Sequence, residues 1–560
     1  MRTPVALFVL ALAVRLGLIA LFPDAAYPDS FYYADVARSL AAGHGLNIDV
    51  VWIFAEVGNH IPAVPTLPIP SNGHWLPLSS LIQAPFITVL GPTGFASALP
   101  MALIGSLAAP LTWAIARDAR AQPIVATTAG VLSAIPAAVT VFMVQPENFA
   151  IVHPLVAATL WCTARGLRGD NRAFAIAGLL AGLVALARND GVLLGATIGL
   201  VWLIDRVRWW RGRRGSGSWI HVEDRRPISS LAGIACFVLF MLVIGPWWAR
   251  QIAVFGSISP TTSNGAALWI RDIAEWNSIT AHPSLQTFLA QGPGPIIASR
   301  LAGLGAALEI FAILVCSIVL VPFLLLGMIG RLRSRDFGPW FLYAFVVFAG
   351  ATLLYPVHVA GGTFIHTAIG LAPHAAILSI EGVLIVVGWI ASRRRTWEER
   401  SATGVFAWGI VILVVATAIV FGRPVQLRWE VSRADRAAVG AELDRLLVPR
   451  DDRILSIDAA GFRYWTGHPG VVTPDDPIDT IEAVAKAYDI RWLVIERDAA
   501  ARSLAPILLG TESVPWIGRS IFAVRDDTGT GTGNPRSSDT RLALYPVCTT
   551  PDDHRCEAGA

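Results

Sequence analysis

Apolar runs long enough to cross a lipid bilayer recur along most of this chain and restrict the folds it can adopt. A spanning helix needs about 20 apolar residues. The composition agrees, because 54% of the 560 residues are hydrophobic and only 15% are charged, against about a quarter in soluble proteins. The sequence therefore predicts a polytopic α-helical membrane protein with about eleven transmembrane helices. These lie near residues 4–22, 95–116, 122–144, 148–164, 173–187, 190–205, 228–246, 300–330, 338–356, 364–391 and 404–422.

The arginine-rich loops predict how these helices are oriented, because basic residues favour cytoplasmic loops. Segment 74–91 contains Pro77 and Pro85, so we expect it to lie in the interface or to re-enter rather than to cross. The arginine-rich loops then share the side of the N-terminus. They contain Arg117/Arg120, Arg165/Arg168/Arg172, Arg206 through Arg226, Arg331/Arg333/Arg335 and Arg393/Arg394/Arg395. We expect a cytoplasmic N-terminus and an extracytoplasmic C-terminus, in a plasma membrane that is bacterial.

This topology gathers the polar residues of interest on the outer face of the membrane. The outer segments are 23–94, which contains the predicted juxtamembrane helices, 145–149, 187–191, 246–269 and 355–367. The net charge of +3 is too small to indicate a nucleic-acid partner. The clustered arginines of the loops therefore indicate membrane topology and do not indicate a ligand.

Residues 424–560 have ordinary soluble composition and predict a small extracytoplasmic α/β domain, separate from a membrane domain over 1–422. We expect a flexible loop at 526–541 and a flexible tail, and Cys548 and Cys556 are close enough in sequence to form a disulfide outside the cytoplasm. Periodicity predicts helices at 433–447 and 478–489 and strands at 453–458, 491–496 and 520–526.

Asp29 is the most prominent candidate for chemistry. It follows the first span by a few residues, so its carboxylate can lie at the membrane surface and accept a proton from an incoming hydroxyl group. The structural alternative is a solvated loop aspartate beside the interfacial tyrosines of an aromatic belt. Asp35 lies six residues further on and therefore on another helix face, so these two acids do not predict a paired-carboxylate site.

The stretch "PDSFYYADVARSLAAGHGL" (28–46) resembles a signature of GT-C-type integral-membrane glycosyltransferases, the group with protein O-mannosyltransferases and lipid A aminoarabinose transferases. The resemblance continues, in the expected order, over most of the first 270 residues. It includes "WLPLSSLIQAPFITVLG", "QPENF", "GLLAGLVALARNDG" and "PWWARQIAVFGSISPTTSNG". The later part of the chain matches mainly in hydropathy. The resemblance implies a GT-C-like membrane domain.

Several residues match functional positions of that group. Asp29 matches the catalytic base, and Glu147 of "QPENF" matches an acid that assists a metal or the donor phosphate, although it could also cap the next helix. Arg188 matches an arginine at an outer helix end, where phosphate is a suitable partner and snorkelling is the alternative. Arg250 is a second phosphate candidate. Asp190 is predicted to be the ion-pair partner of Arg188.

Aromatic and imidazole side chains complete the predicted substrate-binding set. Tyr32 and Tyr33 would shape the pocket, and His74 with Trp75 would line the same cleft, where ring faces suit a sugar. His366, near the start of the tenth span, could bind substrate or donate a proton. A structural role for His366 is the alternative.

The resemblance and the topology together predict an inverting glycosyltransferase of the cell envelope. An outer-face site requires a lipid-linked donor, so we expect a polyprenyl-phosphate sugar and a glycan, lipid or protein acceptor. A divalent metal (Mg, Mn or Zn) held by Asp29 and Glu147 is part of this hypothesis. The alternatives are a transporter or lipid flippase, which would place ionisable residues near the midplane, and a catalytically inactive relative.

Overall fold

The computed structural model describes residues 2–214, 226–260, 266–354, 357, 362–394, 397–526, 530–531, 539–549 and 553–556. Its α-helices are α1 (Arg2–Leu21), α2 (Pro28–Ala41), α3 (Ile53–Glu56), α4 (Leu78–Leu90), α5 (Gly94–Ser106), α6 (Ala108–Asp118), α7 (Pro123–Ala134), α8 (Phe149–Leu167), α9 (Asn171–Ala187), α10 (Val192–Arg214), α11 (Ser230–Phe255), α12 (Ala266–Trp269), α13 (Ile273–Trp276), α14 (Leu285–Leu289), α15 (Pro293–Ile310), α16 (Val321–Arg331), α17 (Gly338–Leu353), α18 (Thr363–Ala368), α19 (Ala372–Ala391), α20 (Glu399–Arg445), α21 (Ala459–Thr466), α22 (Ile478–Ala487) and α23 (Ala505–Leu508).

The strands are β1 (Asn47–Ile48), β2 (Val50–Val51), β3 (Ile69–Pro70), β4 (Arg453–Ser456), β5 (Gly470–Val472), β6 (Ile490–Glu496), β7 (Phe522–Arg525), β8 (Thr530–Gly531) and β9 (Thr540–Pro546). The contacts divide the chain into two compact units. We call the first the membrane unit (Met1–Asp24, Trp75–Arg250 and Pro293–Gln426) and the second the α/β unit (Ala25–His74, Gln251–Gly292 and Leu427–Ala560).

The membrane unit confirms the predicted class, a multi-pass helical membrane protein. Among the described residues, seven helices are long and apolar enough to cross a membrane, or eight if one bent pair counts as a single span. The predicted number of about eleven spans stays a prediction, because several of the predicted segments form shorter apolar helices. These are Asn171–Ala187, Val321–Arg331 and Gly338–Leu353, and Leu78–Leu90 in the predicted interfacial segment.

The predicted span 122–144 is bent by 53° between α7 and the 3₁₀ helix Ala137–Val144. Pro136 causes the break, because proline lacks an N–H and disfavours the helical conformation of the residue before it. Ile135 is accordingly non-helical, with φ −127° and ψ 77°, and Ala137 has a positive φ of 50°. The bend directs the chain into the "QPENF" segment.

The prediction of a single span over 300–330 is wrong. Helix α15 continues through a π-helical turn, Phe311–Val315, and the chain then breaks before α16 begins at Val321. Ser317 and Ile318 have positive φ values of 49° and 60°, which no α-helix accommodates. Continuous hydropathy concealed this break, because the residues at the break are themselves mostly apolar.

The α/β unit contains a seven-stranded sheet in the order β2-β5-β4-β6-β9-β7-β8. The first four strands are parallel to one another, and β9, β7 and β8 pair in antiparallel fashion. The predicted strands at 453–458, 491–496 and 520–526 are present as β4, β6 and β7, and the predicted helix 478–489 is present as α22. A disulfide joins Cys548 and Cys556, a pairing that the sequence left open. The predicted loop 526–541 lies mostly outside the described residues.

The predicted helix 433–447 does not begin separately after the last span. It is the end of α20, which runs for 47 residues without interruption from Glu399 to Arg445. Its last turns pack Val439 and Leu443 into the core of the α/β unit, beside Ile454, Phe462 and Trp492. The predicted amphipathic helix is therefore present, but its predicted start as a separate helix at residue 433 is wrong.

Residues of the first outer loop form part of the same sheet. Val50 and Val51 of β2 pair in parallel with Gly470 and Val471 of β5, so an edge strand comes from the N-terminal part of the chain. The separate pair β1 and β3 is antiparallel, with Ile48 opposite Ile69. This pairing could not be predicted from the sequence, because β2 is only two residues long.

Candidate active site

The predicted site residues are divided between the two units and are described unit by unit. In the membrane unit, Glu147 follows the 3₁₀ helix and is fully buried. Its segment is held by side-chain amides: Gln83 Nε2 donates to the Pro146 carbonyl at 3.1 Å, and Gln145 Nε2 donates to the Asp24 carbonyl at 3.3 Å. Gln83 is itself fully buried. The Glu147 carboxylate is thus placed by a fixed backbone.

Arg15 stabilises the other end of this segment. The α7 helix ends at Ala134, and its terminal carbonyl needs a donor because the helix does not continue. The buried Arg15 guanidinium supplies it, with Nη1 3.0 Å from the Ala134 oxygen. Sequence reasoning did not connect Arg15 with this segment. The sequence signal was an arginine inside an apolar helix, where a charged side chain is costly unless it has a hydrogen-bonding or ionic partner.

His366 of α18 is the direct partner of Glu147. Its Nε2 lies 2.9 Å from Glu147 Oε2, and its Nδ1 lies 3.1 Å from the Gly362 carbonyl oxygen. The Phe149 ring stacks on the imidazole with centroids 4.1 Å apart and fixes its plane. Because a carbonyl oxygen only accepts, Nδ1 carries a proton. A second proton, or a cation, must then lie between Nε2 and the carboxylate oxygen.

This pair of atoms is chemically suited to a divalent cation. A carboxylate oxygen and an imidazole nitrogen are common ligands of Zn²⁺ and are also acceptable to Mn²⁺, whereas Mg²⁺ prefers oxygen. Glu147 and His366 would supply two ligands, and the stacked Phe149 ring and the Gly362 carbonyl would orient the imidazole. From the sequence, the predicted metal ligands are Asp29 and Glu147, and His366 is predicted to bind substrate or donate a proton.

Arg188 and Asp190 form a second polar group in the membrane unit, as predicted. Arg188 Nε lies 2.9 Å from Asp190 Oδ1, and Nη2 lies 3.4 Å from Oδ2. Thr367 donates a hydrogen bond to the same carboxylate. Since Thr367 directly follows His366, one turn of α18 contacts both Glu147 and Asp190. The two groups therefore belong to one polar region.

The α/β unit contains Asp29, in the first turn of α2. Ser30 fixes the start of this helix, because its hydroxyl accepts hydrogen bonds from the backbone N–H groups of Ala26 and Tyr27 at 2.9 and 3.0 Å. The positive end of the helix dipole favours an ionised carboxylate at this position. The Asp29 side chain is half-buried there.

Tyr32 and Tyr33 are both buried on α2. The Tyr32 hydroxyl donates to Glu56 Oε1 at 2.6 Å and accepts from the Asn72 N–H at 2.7 Å. Tyr33 contacts Tyr32 edge to face, with ring centroids 6.1 Å apart. Burial raises the pKa of Glu56 to about 8, and the hydrogen bonds from Tyr32 and Trp52 oppose this rise. Tyr32 thus ties α2 to residues 56 and 72 of the same loop.

The remaining predicted residues lie beside tryptophans. His74 packs against Trp276 in the α/β unit, with ring centroids 5.7 Å apart. Arg250 lies over the Trp247 ring in the membrane unit, 4.9 Å from its centroid. A cation over an indole face is a favourable contact. These contacts orient both side chains, and their roles in binding stay predictions.

Comparison with known proteins agrees with this architecture. The family model described as dolichyl-phosphate-mannose-protein mannosyltransferase matches residues 72–222, a range that includes Glu147 and Arg188 but neither Asp29 nor His366. ArnT from Cupriavidus metallidurans bound to undecaprenyl phosphate superposes with a TM-score of 0.53 and 14% identity over 98% of both chains. The chain has the GT-C fold. This confirms the GT-C resemblance that the sequence indicates.

A second solved structure shares the GT-C fold. The Archaeoglobus fulgidus oligosaccharyltransferase in complex with Zn and sulfate superposes with a TM-score of 0.54 and 12% identity, over 94% of this chain and 73% of that chain. ArnT from Cupriavidus metallidurans in the apo state gives a TM-score of 0.52 and 13% identity. No curated protein matches the sequence. At identities this low, the comparisons with solved structures establish the fold and do not establish the reaction.

Proposed function

We propose that this GT-C protein is an inverting membrane glycosyltransferase that transfers a sugar from a polyprenyl-phosphate donor to an acceptor hydroxyl outside the cytoplasm. The observation that carries the proposal is the fold, which matches ArnT bound to undecaprenyl phosphate over 98% of both chains. The family model over residues 72–222 points to the same donor class, since its description names dolichyl phosphate.

The proposed reaction is a single displacement. Asp29 takes the proton of the acceptor hydroxyl while the acceptor oxygen attacks the anomeric carbon. The bond between that carbon and the phosphate oxygen breaks, and polyprenyl phosphate leaves with the bonding electrons. One displacement inverts the anomeric configuration.

The leaving phosphate requires positive charge. Arg188 is the principal candidate, because Asp190 holds its guanidinium in one orientation by two contacts. An oriented guanidinium binds phosphate oxygens in a fork and stabilises the charge that develops there. Arg250 is the second candidate. The sugar-binding roles predicted from the sequence for Tyr33, His74 and Trp75 are part of this proposal.

A divalent ion would add Lewis-acid stabilisation of the phosphate when bound. Glu147 and His366 are the residues of the membrane unit that would hold it. Dialysis against EDTA followed by addition of Mn²⁺ or Zn²⁺ tests this assignment. We expect transfer to be lost and then restored, and transfer that survives chelation would leave a shared proton as the occupant of the Glu147–His366 contact.

The decisive experiment measures transfer of labelled sugar from a panel of polyprenyl-phosphate donors into a membrane extract. Asp29→Asn should abolish transfer at unchanged protein abundance. Asp479→Asn is the matched control, because Asp479 is exposed and also lies in the first turn of a helix in the same unit. NMR of the product should show inverted anomeric configuration. Transfer that is indifferent to Asp29→Asn would refute the assigned base, and no transfer by the wild type would favour a transporter or an inactive relative.

A further inference from the structure

The helix that carries Asp29 packs on the C-terminal part of the α/β unit. Phe31 of α2 contacts Tyr464 of α21, with ring centroids 5.2 Å apart. The Arg38 guanidinium lies 3.9 Å from the centroid of the same Tyr464 ring. Phe31 and Arg38 are seven residues apart and so share one face of α2. Tyr464 therefore contacts α2 at two points along its length.

The chain that follows α2 is bound to the same part of the unit. The Gly470 N–H donates to the Asp49 carbonyl at 2.9 Å, at the start of the β2–β5 pairing. Arg463, the neighbour of Tyr464, forms an ion pair with the Asp49 carboxylate at 2.8 Å. Both ends of the segment 31–49 are thus attached to α21 and β5.

A buried arginine supports the Phe31 end of α2. Arg436 of α20 is only 7% exposed, and its Nε donates to Asp458 Oδ2 at 2.9 Å. Its Nη2 also lies 3.5 Å from Glu496 Oε1. The guanidinium carbon is 5.8 Å from the centroid of the Phe31 ring. Arg436 is therefore part of the surface that receives α2.

The Arg436 guanidinium lies at the carboxyl ends of two strands of the sheet. Asp458 follows β4 and Glu496 ends β6, and these strands are parallel neighbours. The chain passes from β4 to β5 on one side and then to β6 on the other, so the carboxyl ends of β4 and β6 form a topological switch point. Doubly wound domains bind ligands at such points. Here the Arg436 guanidinium bridges the two strand ends.

We infer that the C-terminal domain acts as a scaffold for α2, and that Tyr464 and Arg436 are positioning residues for Asp29. The inference rests on the proposed role of Asp29. Asp29 lies two residues before Phe31, about 200° around the helix, so the face that packs on Tyr464 does not include it. Fixing the Phe31 and Arg38 face sets the position of the carboxylate without covering it. A displacement of about 1 Å at a reacting group can reduce a rate 100-fold.

The first test measures the mobility of position 29 without any assay of transfer. Asp29→Cys is combined with Tyr464→Leu, Tyr464→Phe or Tyr545→Leu, and labelling by a membrane-impermeant maleimide is timed. Tyr464→Phe keeps the ring, and Tyr545→Leu is the control for loss of a buried tyrosine elsewhere in the same unit, in strand β9. We expect labelling to be at least fivefold faster with Tyr464→Leu than with either control. Equal rates in all three would overturn the inference.

The second test measures transfer with Asp29 intact. We expect Tyr464→Leu to reduce kcat at least tenfold with the donor KM changed less than twofold, whereas Tyr464→Phe stays within twofold of wild type. Limited proteolysis of each variant, compared with wild type, reports whether the domain has folded. An unchanged kcat in folded Tyr464→Leu would overturn the inference. If the wild type transfers no sugar, the proposed function fails, and the labelling result still decides the scaffold role.

Discussion

Asp190 holds the Arg188 guanidinium by two atoms, with Nε 2.9 Å from Oδ1 and Nη2 3.4 Å from Oδ2. Lysine cannot reproduce this fork. We therefore expect Arg188→Lys to raise the donor KM about tenfold, the effect of losing roughly 1.4 kcal/mol of charge-assisted hydrogen bonding. Steady-state kinetics with a polyprenyl-phosphate sugar provides the measurement. Arg172→Lys, at the exposed opposite end of α9, should leave KM unchanged, and an equal effect there would point to a non-specific effect of replacing arginine.

The contact between Glu147 and His366 predicts different results for two substitutions. Glu147→Gln keeps the shape and lets the amide N–H donate to a neutral imidazole, so we expect a folded protein with transfer reduced at least tenfold. Glu147→Leu removes the carboxylate that the buried imidazole contacts, at a cost of about 1–3 kcal/mol. Thermal unfolding in detergent and transfer assays measure both effects. Full activity in Glu147→Gln would show that the charge of Glu147 is dispensable.

Substitution of Gln83 should affect activity, although we assign this residue no part in the chemical step. Its Nε2 donates to the Pro146 carbonyl and to Ser79 Oγ at 3.0 Å. Gln83→Leu should destabilise the protein by about 1–3 kcal/mol through the unpaired carbonyl and should lower kcat by releasing the Glu147 segment. Thr88→Val, on the exposed side of the same helix, is the control. Equal kcat in the two variants would remove Gln83 as a positioning residue.

Glu56 predicts a pH dependence of stability. Burial raises its pKa to about 8 from 4.5, so the folded state binds the proton more tightly than the unfolded state. The resulting stabilisation is complete below about pH 4.5 and is lost as pH rises through 8. Between pH 5 and 8 this contribution therefore falls by about 1.4 kcal/mol per pH unit, and Glu56→Gln should reduce the total slope by about that amount. Thermal unfolding across this range measures the slope, and identical slopes in both proteins would contradict the prediction.

The disulfide provides a test of the predicted orientation. Cys548 and Cys556 are eight residues apart, so their bond should contribute about 2–3 kcal/mol. In intact cells, an impermeant maleimide should label these cysteines only after treatment with an impermeant reductant. The free cysteines Cys162, Cys236 and Cys316 belong to the membrane unit and should stay unlabelled. Labelling that requires cell lysis would place the C-terminus in the cytoplasm.

Local patterns predicted much of this structure. Hydropathy located the helices of the membrane unit, and local periodicity located β4, β6 and β7, because both signals depend on residues that are near one another in sequence. Hydropathy did not reveal the break at Ser317, because the residues around it are mostly apolar. The change of composition after the last predicted span did not mark the end of a helix, because α20 continues through it. Hydropathy measures burial and not backbone conformation.

The candidate site was predictable where a motif supplied the residue and unpredictable where the contact was distant. Arg188 and Asp190 are two positions apart, so their ion pair could be inferred. His366 lies 219 residues beyond Glu147, and Gln83 lies 63 residues before Pro146, so no local pattern links these partners. Tyr464 and Arg436 escaped notice for the same reason.

The ion pair between Asp49 and Arg463 joins residues 414 positions apart. Synthesis of the chain begins at its N-terminus, so helix α2 emerges hundreds of residues before β5 and α21 exist. Its packing surface is completed only when the last hundred or so residues have been made and have folded. Ribosomal products that stop early would carry Asp29 on an unsupported helix. The order of synthesis therefore delays assembly of the proposed base until the chain is nearly complete.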